Sequence, residues 1–139
     1  MLHLATPLRD RLADLTVADY PREACGLLVG RLQPDATHVR QVFPVRNLNV
    51  ERARDRYELD PDEHARVAAA ARLEGLDIVG VWHSHPDHPA RPSETDRAAA
   101  WEGWSYVIAS VSPGGLQDLR SWRLQDGRFE EEDIVDGQR

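Results

Sequence analysis

The sequence predicts an α/β fold in which a mixed β-sheet core is flanked by helices. Three observations carry this. Apolar, β-branched runs recur along the chain, stretches of helical periodicity interrupt them, and Gly or Pro turns separate one from the next. At 139 residues without repeats or low-complexity runs, the chain suits one domain over residues 1–139, large enough to bury a core without disulfides.

Thr6-Pro7 reads as the N-cap and first position of a helix in which Leu8, Leu12 and Leu15 share a face, ending before Pro21. ACGLLVGRL is a compact apolar run, and THVRQVFPV alternates. The two are expected to pair as a hairpin. Asp60-Pro61 opens a second helix, with Ala65, Ala68, Ala69 and Leu73 on one face and Gly75 as its stop. DIVGVWHSH is an apolar strand closed by a proline-rich loop. Ser93 and Asp96 have capping-box spacing for a short helix reaching about Glu102. WSYVIASVS is a strand, PGG a turn, and LRSWRL with RFEEEDI a hairpin about Asp126-Gly127.

Composition excludes several classes of function. A net charge of −7 argues against a nucleic-acid binder, which normally carries a basic face. No run is long and apolar enough for a membrane span, and the N-terminus lacks an export h-region, so the cytoplasm is the expected compartment. The single cysteine, Cys25, rules out an internal disulfide framework and reads as a small buried residue, not a nucleophile. All 17 basic residues are arginine, which removes lysine-based Schiff-base or general-base chemistry.

The chemistry is concentrated in HSHPDHPARPSETD, residues 83–96. Positions i and i+2 of a strand project to one face, so His83 and His85 stand side by side while Trp82 and Ser84 face the other way. Pro86, Pro89 and Pro92 end the strand and stiffen a return toward the histidines, bringing Asp96 in on the first turn of a helix. Two imidazoles and a carboxylate form an open three-ligand site of the catalytic Zn²⁺ type, one ion per chain, with the fourth position left for solvent. Such an ion lowers the pKa of water from about 15.7 to about 7. His3, His38, His64 and His88 are read as ordinary solvated or hydrogen-bonded residues, although His88 lies in the loop and could line the mouth of the site.

The His-x-His pair, ten residues and then Asp, with Pro86 after the second histidine and Pro92-Ser93 before the aspartate, resembles the JAMM signature of MPN-domain zinc metalloproteases, in their small prokaryotic form. YPREACGLLVGR at residues 20–31 and YELDP at residues 57–61 resemble two further segments of that family, so the likeness runs from about Tyr20 to Ser112. It implies an MPN architecture and hydrolysis of an amide or isopeptide bond without a covalent intermediate. It also implies that Glu23 is the general base. A carboxylate just ahead of a buried strand could reach a metal across a small sheet, although by itself it reads more readily as an exposed acidic residue. Ser93 is implied as the oxyanion donor, a role that competes with its reading as a helix cap.

The implied substrate is a small ubiquitin-like or sulphur-carrier protein cut after its C-terminal Gly-Gly, the extended tail adding to an exposed strand edge. No insertion large enough for a ubiquitin-docking lobe is evident. The alternative is a non-catalytic MPN scaffold, although all three ligands and the glutamate are present. A nucleobase deaminase needs His-x-Glu and Pro-Cys-x-x-Cys, and the chain has neither.

Overall fold

Residues 1–53, 56–98 and 100–136 are described by a computed structural model. The chain runs β1 (Leu2–His3), α1 (Thr6–Ala18), β2 (Cys25–Gln33), β3 (Ala36–Val45), α2 (Pro61–Leu73), β4 (Asp77–Pro86), α3 (Glu94–Ala98), β5 (Ser105–Ser112), β6 (Gly115–Gln125), β7 (Arg128–Glu132) and β8 (Ile134–Val135). The strands form one mixed sheet in the order β7-β6-β5-β4-β2-β3-β1-β8. The expected hairpins β2–β3 and β6–β7 are both present, and the parallel pairs are β4–β5, β1–β3 and β1–β8. Asp126 (φ 53°) and Gly127 (φ 74°) make the tight turn between β6 and β7.

The sheet curls back on itself. Its outermost members, β7 and β8, are successive segments separated by Asp133 alone. Leu2 N–H donates to the Asp133 carbonyl at 2.7 Å. Thr37 on β3 and Ser105 on β5 stand three places apart in the strand order, yet their hydroxyls meet at 2.8 Å. Arg123 donates to Thr37 Oγ1 at 2.6 Å, while Ser105 and Ser121 donate to Glu132 at 2.6 and 2.8 Å. Most of these buried polar groups are thereby satisfied by one another, with Arg123 Nε left without a hydrogen-bond partner among the described residues. Helix α1 contacts β3, β5 and β6, which places it on the concave face, where Leu12 joins Leu28, Trp82 and Val107 in the larger core cluster. Helix α2 packs on β4, β2 and β3, beside the smaller cluster of Leu27, Val45, Val81 and Tyr106.

Four local expectations are corrected. The N-cap of α1 is Ala5, not Thr6, because the Thr6 N–H and hydroxyl both turn to Asp136, at 3.1 and 3.4 Å. Helix α2 starts at Asp60-Pro61 as expected, the Asp60 carboxylate accepting from Asp62 N–H. Its inward face, however, is His64, Val67, Ala68 and Ala71, and Leu73 is 90% exposed. Helix α3 ends at Ala98. Residue 99 lies outside the described residues, and the Trp101 N–H is taken by the Tyr106 hydroxyl at 2.6 Å, not by a helical carbonyl. The two-residue strands β1 and β8 have no counterpart in the pattern reading. The expected stop of α2 does hold: Gly75 (φ 71°) and Leu76 donate back to the Arg72 and Ala71 carbonyls in a Schellman motif.

Candidate metal centre

Strand β4 carries His83 and His85 out of the sheet on one face. On the other face, Trp82 enters the core and Ser84 is fully buried. Antiparallel pairing of β2 with β4 sets Cys25 opposite His83, so Glu23, just ahead of β2, arrives beside the imidazole. That approach needs a glycine at position 26, since a Cβ there would collide with the Phe43 carbonyl and the Trp82 indole. Parallel pairing with β5 holds the end of β4, and the Asp87 N–H donates to the Val111 carbonyl at 2.7 Å where the proline loop begins.

Glu23, His83, His85 and Asp96 each bring one ligand atom into a group whose members all lie within 4.8 Å of one another. His83 Nδ1 lies 3.0 Å from Glu23 Oε1, and His85 Nδ1 lies 2.8 Å from the Pro89 carbonyl. Both partners are acceptors, so each Nδ1 carries the proton and each Nε2 turns a lone pair toward Asp96. The separations there are 3.8 Å from His83 Nε2 to Oδ1 and 3.3 Å from His85 Nε2 to Oδ2. Two ligands bound tetrahedrally to zinc at its usual bond lengths stand about 3.3–3.4 Å apart. His83 Nε2 is buried and has no hydrogen-bond partner among the described residues. A buried ring nitrogen with an unused lone pair beside a carboxylate is costly unless a cation completes it. The donor set and its spacing fit a metal ion.

Asp96 is placed by α3. Its N–H donates to Ser93 Oγ at 3.1 Å, and the Ser93 N–H donates to Asp96 Oδ2 at 2.8 Å. The capping box expected at Ser93 is therefore formed. Because the cap uses only an acceptor lone pair of Oγ, the hydroxyl proton remains available to donate. The two readings of Ser93 do not conflict.

The electrostatics follow from this packing. Burial opposes ionisation of Asp96, but without a metal the hydrogen bond from His85 in its protonated form, the charge of His83 when it too carries a second proton, and the Ser93 N–H outweigh burial and hold the carboxyl at about 2. Burial likewise works against the His85 imidazolium, yet the Asp96 and Pro89 hydrogen bonds with the charges of Asp96 and Glu23 raise its pKa. Cys25 is buried, and burial together with the Glu23 charge pushes its thiol up to about 12, which leaves it inert as a nucleophile.

Three supporting contacts lie outside the sequence reading. Ser84 Oγ accepts from the Ala24 N–H at 2.8 Å, and the Ser84 N–H donates to the Ala24 carbonyl at 3.0 Å, so the residue between the two histidines pins the segment bearing Glu23. Asn47 Nδ2 donates to the Glu23 carbonyl at 3.1 Å. The Tyr57 ring stacks on His83 with centroids 4.4 Å apart. Of the remaining histidines, His3 and His38 stack on one another at 4.2 Å. His64 lies against Trp104, and His88 lines the cavity that holds Glu23, His85, Ser93 and Asp96.

The chain is 39% identical over 126 residues to a desampylase of Haloferax volcanii, covering 87% of each protein. It is 37% identical over 119 residues to a CysO-cysteine peptidase of Mycobacterium tuberculosis, covering 84% of this chain and 77% of that protein. A solution structure of a Desulfitobacterium hafniense protein superposes with a TM-score of 0.86 at 30% identity, covering 100% and 94% of the two chains. A JAB1/MPN domain protein of Archaeoglobus fulgidus shares the fold at a TM-score of 0.58 and 18% identity, covering 98% of each chain. Residues 5–125 match the pattern of the prokaryotic homologs of the JAB domain, and with most of the chain so matched, the protein belongs to that family.

Proposed function

We propose that the chain, acting as a single domain over residues 1–139 in the cytoplasm, is a zinc-dependent peptidase. It hydrolyses the bond after the C-terminal Gly-Gly of a small ubiquitin-like sulphur-carrier protein. The observation that carries this reading is the orphaned, buried Nε2 of His83 facing Asp96 and His85. The relatives named desampylase and CysO-cysteine peptidase support a peptidase with a small protein partner. Among the described residues no helix is long and apolar enough to cross a membrane.

His83, His85 and Asp96 would hold the ion. Zinc, when bound, supplies Lewis-acid polarisation of the scissile carbonyl and a water whose pKa is lowered to about 7. Glu23 keeps one oxygen on His83 Nδ1 and takes the proton of the attacking water with its carboxylate. It then returns that proton to the leaving nitrogen. The C–N bond breaks, the glycine carbonyl carbon gains the hydroxyl, and the amine gains the proton. The Ser93 hydroxyl, already fixed through its acceptor side by Asp96 N–H, donates to the developing oxyanion. Ser84, Asn47 and Tyr57 act on the reaction only by positioning Glu23 and His83.

The test is incubation of the zinc-loaded protein with diglycine-ended ubiquitin-like proteins bearing C-terminal extensions, read by intact mass. Cleavage after Gly-Gly that stops on adding a chelator and returns with zinc is expected. Intact substrate under all conditions would favour a non-catalytic scaffold, and cleavage indifferent to the chelator would remove the metal from the mechanism.

A further inference from the structure

Two cavities meet at Asp96 and differ in character. One, of about 280 Å³, is walled by apolar and aromatic side chains, among them Tyr57, Val81, Trp101 and Tyr106. The other, of about 350 Å³, holds Glu23, His85 and Ser93, and its wall also carries Arg56 and Arg91. Because the base that activates water also protonates the departing nitrogen, the leaving group belongs in the cavity that contains Glu23.

The charge of that cavity is unusual for cleavage of a neutral amide. With a divalent ion in place, the charges of Glu23 and Asp96 are balanced, and the Arg91 guanidinium remains in a protein whose net charge is −7. Arg91 has no ion-pair partner among the described residues. It sits between Pro89 and Pro92, and its N–H closes a turn onto the Pro89 carbonyl at 2.8 Å, the residue whose carbonyl also orients His85. The guanidinium is therefore carried on a stiff loop attached to the centre itself. A planar guanidinium in that position matches a carboxylate in fork geometry. A single amino acid attached after Gly-Gly presents a free α-carboxylate close to the scissile nitrogen. A lysine side chain within a protein does not.

Resting on the peptidase reading above, we propose that Arg91, with Arg56 on the same wall, reads the free α-carboxylate of the leaving residue. The enzyme then favours release of one C-terminal amino acid over cleavage of an isopeptide or an internal peptide bond. Arg91 is a specificity residue in this scheme and takes no part in proton transfer.

The experiment uses the zinc-loaded full chain and a diglycine-ended ubiquitin-like protein extended by one alanine, prepared as the free acid and as the carboxamide. The acid should be cleaved with kcat/KM about tenfold higher, the difference residing mainly in KM and shrinking with added salt. Arg91→Ala should bring the acid-to-amide ratio to about one, and Arg91→Lys should restore part of it. Independently of turnover, the Arg91 Nε–Hε NMR signal should shift on titration with alanine and not with alaninamide. Equal rates for acid and amide in the wild type, or a ratio preserved in Arg91→Ala, would overturn the proposal while leaving the peptidase reading intact. Failure to cleave either form would remove both.

Discussion

Ser93 and Asp96 hold one another in both directions, backbone to side chain, at 2.8 and 3.1 Å. This exchange couples a helix cap to the metal centre. The carboxylate that faces His83 and His85 is also the group that begins α3, so a five-residue helix is sufficient to fix its position. The same pair leaves the Ser93 hydroxyl proton free to donate.

Substitutions at Ser93 should separate these roles. Ser93→Ala is expected to lower kcat about 10²–10³-fold through loss of the oxyanion donor. Loss of the cap should cost about 1 kcal/mol of stability and loosen Asp96. Ser93→Gly preserves most of the capping energy, so its zinc affinity should exceed that of Ser93→Ala while its kcat is equally low. Ser93→Thr should retain both. Steady-state kinetics beside zinc titration against a chromogenic chelator reads the two effects; a Ser93→Gly enzyme with wild-type kcat would exclude the donor role.

For Glu23→Gln, the expected result is a fall in turnover of about 10²–10⁴-fold with zinc content unchanged. The Gln carbonyl still accepts from His83 Nδ1, so the ring keeps its orientation. His83→Ala, in contrast, should lose the metal and, with it, the zinc-dependent rise in Tm. Elemental analysis of both purified variants, followed by the mass assay, checks the pair. Retained hydrolysis in Glu23→Gln would assign the base elsewhere.

The pH dependence of the metal-free protein has a definite sign. Asp96 is held at about 2, below its ordinary value of 3.8, so the unfolded chain binds the proton first as acid is added. Its contribution, roughly 2 kcal/mol by that difference, is present above pH 3.8 and is lost as the pH falls toward 2. Urea midpoints measured between pH 2 and 5 should therefore fall more steeply for the wild type than for Asp96→Asn. Parallel curves would show that Asp96 is not held in its charged form by the two histidines.

Gly26→Ala probes the approach of β2 to β4. The added methyl has to displace the Phe43 carbonyl or the Trp82 ring, which donates to that same carbonyl at 3.1 Å. A loss of about 1–3 kcal/mol or more is expected, with reduced zinc retention because His83 follows Trp82, the partner of Gly26, and Glu23 lies three residues ahead of Gly26. Thermal melts of the zinc-loaded and metal-free variant measure both effects.

The residues of the centre were legible where local geometry decides them. His83 and His85 share a face because strands alternate, and Ser93 reaches Asp96 because helix caps span three residues. The tie from Ser84 to Ala24 crosses 60 positions, and only the β2–β4 register creates it. Nothing in the spacing marks Tyr57 as the ring that covers His83. The inward face of α2 was misread for a different reason: its run of alanines at 68–71 makes several phases nearly equivalent, and the packing of Val67 and Ala71 decides among them. The strands β1 and β8 are too short to show a period. Their pairing exists only because the curled sheet brings residues 2–3 against 134–135.

That curl changes how a substrate tail can be gripped. At one border of the sheet stands β7, five residues that include Glu130, Glu131 and Glu132 and lie three strands from β4. A peptide zipped onto that border would sit four strand spacings, roughly 19 Å along the sheet, from β4, and its approach would meet carboxylates that discourage such annexation. Extension of the sheet at that border, one form of the strand addition anticipated for a diglycine tail, would therefore hold a peptide far from the two histidines.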